Sequence, residues 1–285
     1  MSTSPERGAP PAASADSGPP GQPPWGARIA ASFAKTFAIA DLEVRKLRHD
    51  PTELATRAIQ PVLWLVVFGQ VISRGHVVAT GDLPYLDFLV PGILAQSVLF
   101  IAIFNGISII WERDLGIVHK FLASPTPRTA LVLGKALGGG MRAVTQAVVV
   151  AVLALLLGVH LRWNPTALAG VIVFVVLGAA VFSTFSLIVA CLVKTRERFM
   201  GVGQVLTMPL FFASNAIYPI SMMPGWLQTI SRLNPLTYQV DALRHLLLPS
   251  VGVVPIGIEV DLAVLLVALA VLTAISARLY PNIVT

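Results

Sequence analysis

Charge is what this sequence has least of. Only 12% of its 285 residues are Asp, Glu, Lys or Arg, about half the share found in a soluble domain, while 55% are hydrophobic and the mean hydropathy is +0.79. A soluble globule of this length would lack the polar side chains to cover itself. Cysteine is nearly absent too. Cys191 stands alone inside an apolar run, which excludes an intrachain disulfide and a paired-cysteine metal site and leaves a small core residue. No G-x-x-x-x-G-K-[ST] loop occurs: Gly134-Lys135-Ala136 lacks both the hydroxyl and the spacing of a phosphate cradle. If the work of this chain is powered, a partner supplies the power.

What is present is a series of apolar runs, at about residues 54–72, 88–110, 143–159, 167–193, 199–217 and 262–277. Each reads as a membrane-spanning helix, and the third and sixth, shorter than about 20 residues, have to extend into their flanks. The fold class is therefore an all-α polytopic membrane protein with six transmembrane helices. The span cores hold no Asp, Glu, Lys or His, and Arg57 sits near an inner edge. A proton- or sodium-coupled transporter thus loses its usual intramembrane site, and no acid, histidine and nucleophile converge as a membrane hydrolase needs.

Residues 1–26 are rich in Pro, Ser, Gly and Ala without an apolar core for a signal peptide, and read as a disordered cytoplasmic tail. Ile29, Phe33, Phe37, Ala40, Val44 and Leu47 then recur at spacings of four and three, flanked by Arg28, Lys35, Arg45, Lys46 and Arg48. Such a stripe predicts an amphipathic helix lying in the membrane interface, or one packed on a soluble partner. With the N-terminus inside, fourteen of the twenty Lys and Arg fall in cytoplasmic segments and four in outer loops. That bias places both termini in the cytoplasm, and it accounts for the net charge of +6 without invoking nucleic acid.

Two segments between spans carry the chemistry. From Trp111 to Arg128, Leu115, Val118, Phe121 and Leu122 form a short apolar stripe among Glu112, Arg113, Asp114, His119 and Lys120, ended by Ser124-Pro125-Thr126-Pro127. This pattern fits a docking helix and equally a solvated loop that serves topology alone. Between the last two spans, Trp226, Leu227, Ile230 and Leu233 share one helical face, and Asn234-Pro235 starts a second helix faced by Leu236, Val240, Leu243 and Leu247. Both are expected to tuck into the outer leaflet and cap an exit. Asp241, Arg244 and His245 read as a structural polar cluster, since no cysteine or second histidine stands at zinc-ligand spacing.

The stretches ERDLGIVHKFLASP (Glu112–Pro125, with Leu133-Gly134-Lys135 following) and YPISMMPGWLQTISRLNPLTYQVDALR (Tyr218–Arg244) resemble hallmarks of the membrane permeases of type-2 ABC exporters, especially the daunorubicin-resistance and nodulation-type branch. The resemblance runs from about Ala31 to the C-terminus. Asp114 and Ile117-Val118 replace the commoner acid and Thr-x-Glu, so the charge pattern offered to a partner differs from the usual one. The resemblance implies a cytoplasmic coupling helix between spans 2 and 3, seated on an ABC ATPase subunit, through which Glu112, Arg113, Gly116, His119 and Lys120 transmit closure. ATP and Mg would be held by that subunit, with no cofactor in this chain. It also implies a second permease copy or a related permease, with the path between the two. Spans 2 and 5 would contribute Gln96, Phe100, Phe104, Asn105, Thr207, Phe211 and Asn215, a mix suited to an amphipathic drug-like or lipid-like cargo. The second hallmark comprises Pro219, Pro224, Trp226, Asn234, Pro235, Tyr238, Asp241 and Arg244. A permease for a lipid-linked glycan or cell-wall polymer, and a non-transporting scaffold, are the alternatives.

Overall fold

The computed structural model describes residues 58–75, 78, 83–116, 128–193, 195–248 and 256–279, of which 128–131 by their backbone alone. The expected tail, the amphipathic helix at 28–49, and His119 and Lys120 lie outside these residues. The described chain is helical, with no strand among its residues. In order come α1 (Ala58–Gly75, π-helical over Leu63–Gly69), α2 (Tyr85–Phe104), α3 (Gly106–Asp114), α4 (Arg128–Leu156), α5 (Pro165–Leu192) and α6 (Arg196–Phe212). A 3-10 turn at Ile220–Met222 leads to α7 (Gly225–Leu233), α8 (Pro235–Leu247) and α9 (Ile258–Leu279). Local chemistry sets several starts. Asn164 and Asn234 each cap a helix that opens on proline, and Thr195 caps α6 by accepting from the Arg198 N–H.

Helices α2 and α5 form the core, buried along most of their length, with α4, α8 and α9 packed around them. By contrast, α1 and α9 turn Ile59, Leu63, Val67, Val267 and Val271 outward, the surface expected where lipid replaces water. Close approaches set the packing. A Cβ on Gly92 would lie 2.2 Å from the Ala216 carbonyl oxygen, and one on Gly178 would lie 2.2 Å from the Gln239 amide. Asn105 keeps helical dihedrals and joins α2 to α3, and at the next residue a Cβ on Gly106 would collide with Ser186 and Phe199.

Five helical stretches are long and apolar enough to cross a membrane: Ala58–Gly75, Tyr85–Asp114, Val132–Leu156, Pro165–Leu192 and Ile258–Leu279. The stretch expected as the fifth of six spans, 199–217, is helical only to Phe212. It is 17 residues long as α6, then turns through residues 213–216. Pro209, one turn from its end, takes an N–H out of the helical ladder. The observed helices also run past the apolar runs that announced them, which brings Asp87, Arg142 and Asp261 inside spanning helices. Asp87 and Asp261 lie in first turns, where carboxylates favour the positive end of the helix dipole. Another difference concerns α8. Rather than tucking into a leaflet, it is buried between α2, α5 and α9, because its polar face (Thr237, Asp241, Arg244) finds partners inside the bundle. Of these two short helices, α7 keeps its apolar side chains outward, with Trp226, Ile230 and Leu233 exposed.

Candidate coupling site and substrate path

At one end of the bundle, α3 carries Trp111 to Asp114 and stops at Gly116. That glycine has φ +70°, a left-handed conformation in which other residues are strained, and its N–H donates to the Arg113 carbonyl (2.9 Å). Glu112 and Arg113 therefore continue the helix of span 2 and do not begin a separate one. Two ion pairs tie this end to other helices. Lys135 of α4 pairs with Glu112. Arg196, at the start of α6, donates to Asp114 (2.7 Å) and lays its guanidinium over the Trp111 ring at 3.7 Å, an arrangement of charge pairing and cation–π attraction. Arg113 turns to the same Asp114 carboxylate (3.1 Å). The three expected coupling residues that are described, Glu112, Arg113 and Gly116, thus sit where α3, α4 and α6 meet.

The path residues do not share one open surface within a single chain. Gln96, Thr207, Phe211 and Asn215 are buried. Thr207 returns its hydroxyl to the Gly203 carbonyl (2.6 Å), and Phe211 meets Trp64 edge-on at 5.2 Å. Gln96 keeps its Nε2 without a partner. Phe100 and Phe104 stack at 6.1 Å and stay half-buried beside Asn105, whose side-chain oxygen accepts from Arg142 (3.3 Å).

The second hallmark builds the opposite end. Asn234 caps α8 by accepting from the Leu236 N–H (3.0 Å) and donates to the carbonyls of Leu210 (2.7 Å) and Ala213 (3.3 Å). It thereby pins α8 to the end of α6. Pro224 and Pro235 precede or open α7 and α8, Pro219 leads into the 3-10 turn, and Tyr238 donates to the Arg232 carbonyl (2.6 Å). Arg244 is fully enclosed. It stacks on Phe88 at 3.8 Å and donates to the carbonyls of Asn215 (2.9 Å) and Phe88 (3.4 Å). Asp241 accepts from the Ile256 N–H (3.2 Å) and the Asn215 amide (3.5 Å). Burial raises the Asp241 carboxyl above its ordinary value, against the pull of the Arg244 charge, and lowers Arg244 below its own. These groups spend their bonds on backbone and on one another, the behaviour of a joint that holds α2, α6 and α8 together.

The sequence model of the ABC-2 type transporter family matches residues 34–248, which includes both hallmarks and most of the helices just described. The chain belongs to that family. Among its relatives, a transport permease named ycf38 from Cyanophora paradoxa is 30% identical over 203 residues, 70% of each chain. The daunorubicin resistance ABC transporter permease protein DrrB1 of Streptomyces coeruleorubidus is 28% identical over 236 residues, 82% of each. The inner membrane transport permease YadH of Escherichia coli K12 is 26% identical over 202 residues, 67% of this chain and 74% of that one. This ABC-2 protein is an integral membrane transport permease, and its family is a transmembrane subunit without catalysis of its own.

The structure gives several residues of the ABC-2 chain surroundings that the sequence reading did not assign them. Lys135, read as part of the first hallmark, and Arg196, one of the lysines and arginines counted for orientation, clasp Glu112 and Asp114. Tyr85 donates to the Ile217 carbonyl (3.1 Å), and Asp261 lies buried on α9 with both oxygens unpartnered. The charge run KTRER at 194–198 was the available signal for Arg196. Nothing local marks Tyr85 or Asp261, whose surroundings come from distant helices.

Proposed function

We propose that this permease is the membrane-spanning part of an ATP-driven exporter that moves an amphipathic, drug-like or lipid-like substrate out of the cytoplasm or the inner leaflet. It works as a pair of permeases, two copies or one with a related chain, on two ABC ATPase subunits that hold the ATP and Mg. In this reading α6 with residues 213–217 is the fifth of six crossings, both termini face the cytoplasm, and the membrane is the plasma membrane. The supporting observation is the joining of α3, α4 and α6 at Glu112–Lys135 and Asp114–Arg196. A push on the segment after Gly116 meets three spanning elements at once. The inner-loop lysines and arginines, Arg113, Lys120, Arg128, Lys135, Lys194, Arg196 and Arg198, support the reading that this end lies inside.

Co-expression with candidate ATPase subunits and purification in detergent tests the proposal. Wild type is expected to retain an ATPase and to alter its ATP turnover. Glu112→Ala and Gly116→Pro are expected to lose the partner or that effect while still eluting as folded protein, with Glu112→Ala melting close to wild type and Gly116→Pro somewhat lower, since proline cannot take φ +70°. Wild type that retains no ATPase, or variants with unchanged coupling, would overturn it.

A further inference from the structure

Beside the α3–α4–α6 junction, an apolar groove of about 650 Å³ runs between the C-terminal end of α5 and the first turns of α6. Leu192, Val193, Val202, Val205 and Leu206 line it, and Arg198 stands among them. The cations at this end are not equivalent. Arg196 is committed to Asp114 and Trp111, whereas Arg198, two residues on, is exposed and its side chain makes no ion pair among the described residues. An unpaired guanidinium over an apolar furrow in a membrane protein matches one amphiphile well: a hydrocarbon chain for the furrow and a phosphate for the guanidinium.

We propose that this groove binds a bilayer phospholipid with an anionic headgroup, the phosphate on Arg198 and an acyl chain along the α5–α6 furrow. A second copy of the chain fits less well, because a two-fold contact across the groove would bring a second Arg198 to the same rim and leave two like charges facing each other. The groove also shares no residue with the candidate substrate path, so its occupant is a resident of the membrane and not cargo in transit. An anionic lipid held here would steady the start of α6, the helix that Arg196 links to the docking end.

The test uses the full chain in nanodiscs holding equal amounts of phosphatidylglycerol and phosphatidylcholine, with retained lipids counted by native mass spectrometry. Wild type is expected to enrich phosphatidylglycerol about fivefold, the effect of one basic side chain near a membrane surface. Arg198→Gln is expected to keep the lipid count and lose the preference. Gly201→Trp is expected to lower the count, since Gly201 faces open space and the indole can fill the groove without strain. Equal retention of the two lipids by wild type, or an unchanged preference in Arg198→Gln, would sink the proposal. So would an intermolecular disulfide formed by Val202→Cys in a Cys191→Ser background, which would seat a second copy in the groove.

Discussion

At Gly92 the backbone of α2 passes the carbonyl of Ala216, and a methyl group there would come within 2.2 Å of that oxygen. The obstacle is main chain fixed at the end of α6, so no rotamer change can relieve it. Gly92→Ala is therefore expected to destabilise the permease by about 1–3 kcal/mol, read as a lower melting midpoint in detergent. Gly134 supplies the control. It lies in α4 with nothing within 4 Å of a Cβ, so Gly134→Ala is expected to leave the midpoint unchanged or raise it by the equivalent of about 0.5–1 kcal/mol. Equal responses at the two glycines would mean that α2 and residue 216 do not approach as described. The difference between them was not legible in the sequence, where both are single glycines in apolar surroundings. It arises from residues more than a hundred positions apart.

Among the elements, α2, α4, α5 and α9 could be read from hydropathy because a bilayer accepts little besides long apolar helices. The caps at Asn164 and Asn234 could be read for a local reason as well, since Asn followed by Pro starts a helix. Two elements resisted. The sequence reading tucked α8 into the outer leaflet with Asp241 and Arg244 as a structural polar cluster, yet α8 is buried in the bundle, where carbonyls of Phe88 and Asn215 and the Ile256 N–H meet those side chains. The relation of α3 to α6 was also hidden, since Asp114 and Arg196 are 82 residues apart. Both side chains of that pair are more than a third exposed, so solvent screens it and it adds little to stability. Its value lies in connection. Asp114→Arg and Arg196→Asp are each expected to shift the melting midpoint little and to weaken the permease's effect on ATP turnover by a partner ATPase. The double exchange is expected to restore part of the effect, limited by the lost stacking on Trp111. Single variants that couple normally, or a double variant no better than either, would show that the contact carries nothing between α3 and α6.

For the molecule as a whole, the unequal distribution of cations between the two ends is the feature from which orientation follows. Arg113, Lys135, Arg196, Arg198 and Arg278 belong to the end where α3 stops and α6 begins, whereas Arg74, Arg162, Arg232 and Arg244 belong to the end built by α7 and α8. Arg244 is buried on backbone carbonyls, so it adds nothing to the surface charge of its end, and the contrast is steeper than the bare count. Translocating the richer end would carry more positive charge against the membrane potential. The end with Arg196 is therefore expected inside and α7 outside. Two exposed positions report on this, Leu233 at the end of α7 and Glu197 in the first turn of α6. In a Cys191→Ser background, Leu233→Cys is expected to react with a membrane-impermeant maleimide on intact cells, and Glu197→Cys only after permeabilisation. The reverse pattern would place the ATPase-docking segment outside, where no ATP is available, and both the exporter reading and the cytoplasmic termini would fall with it.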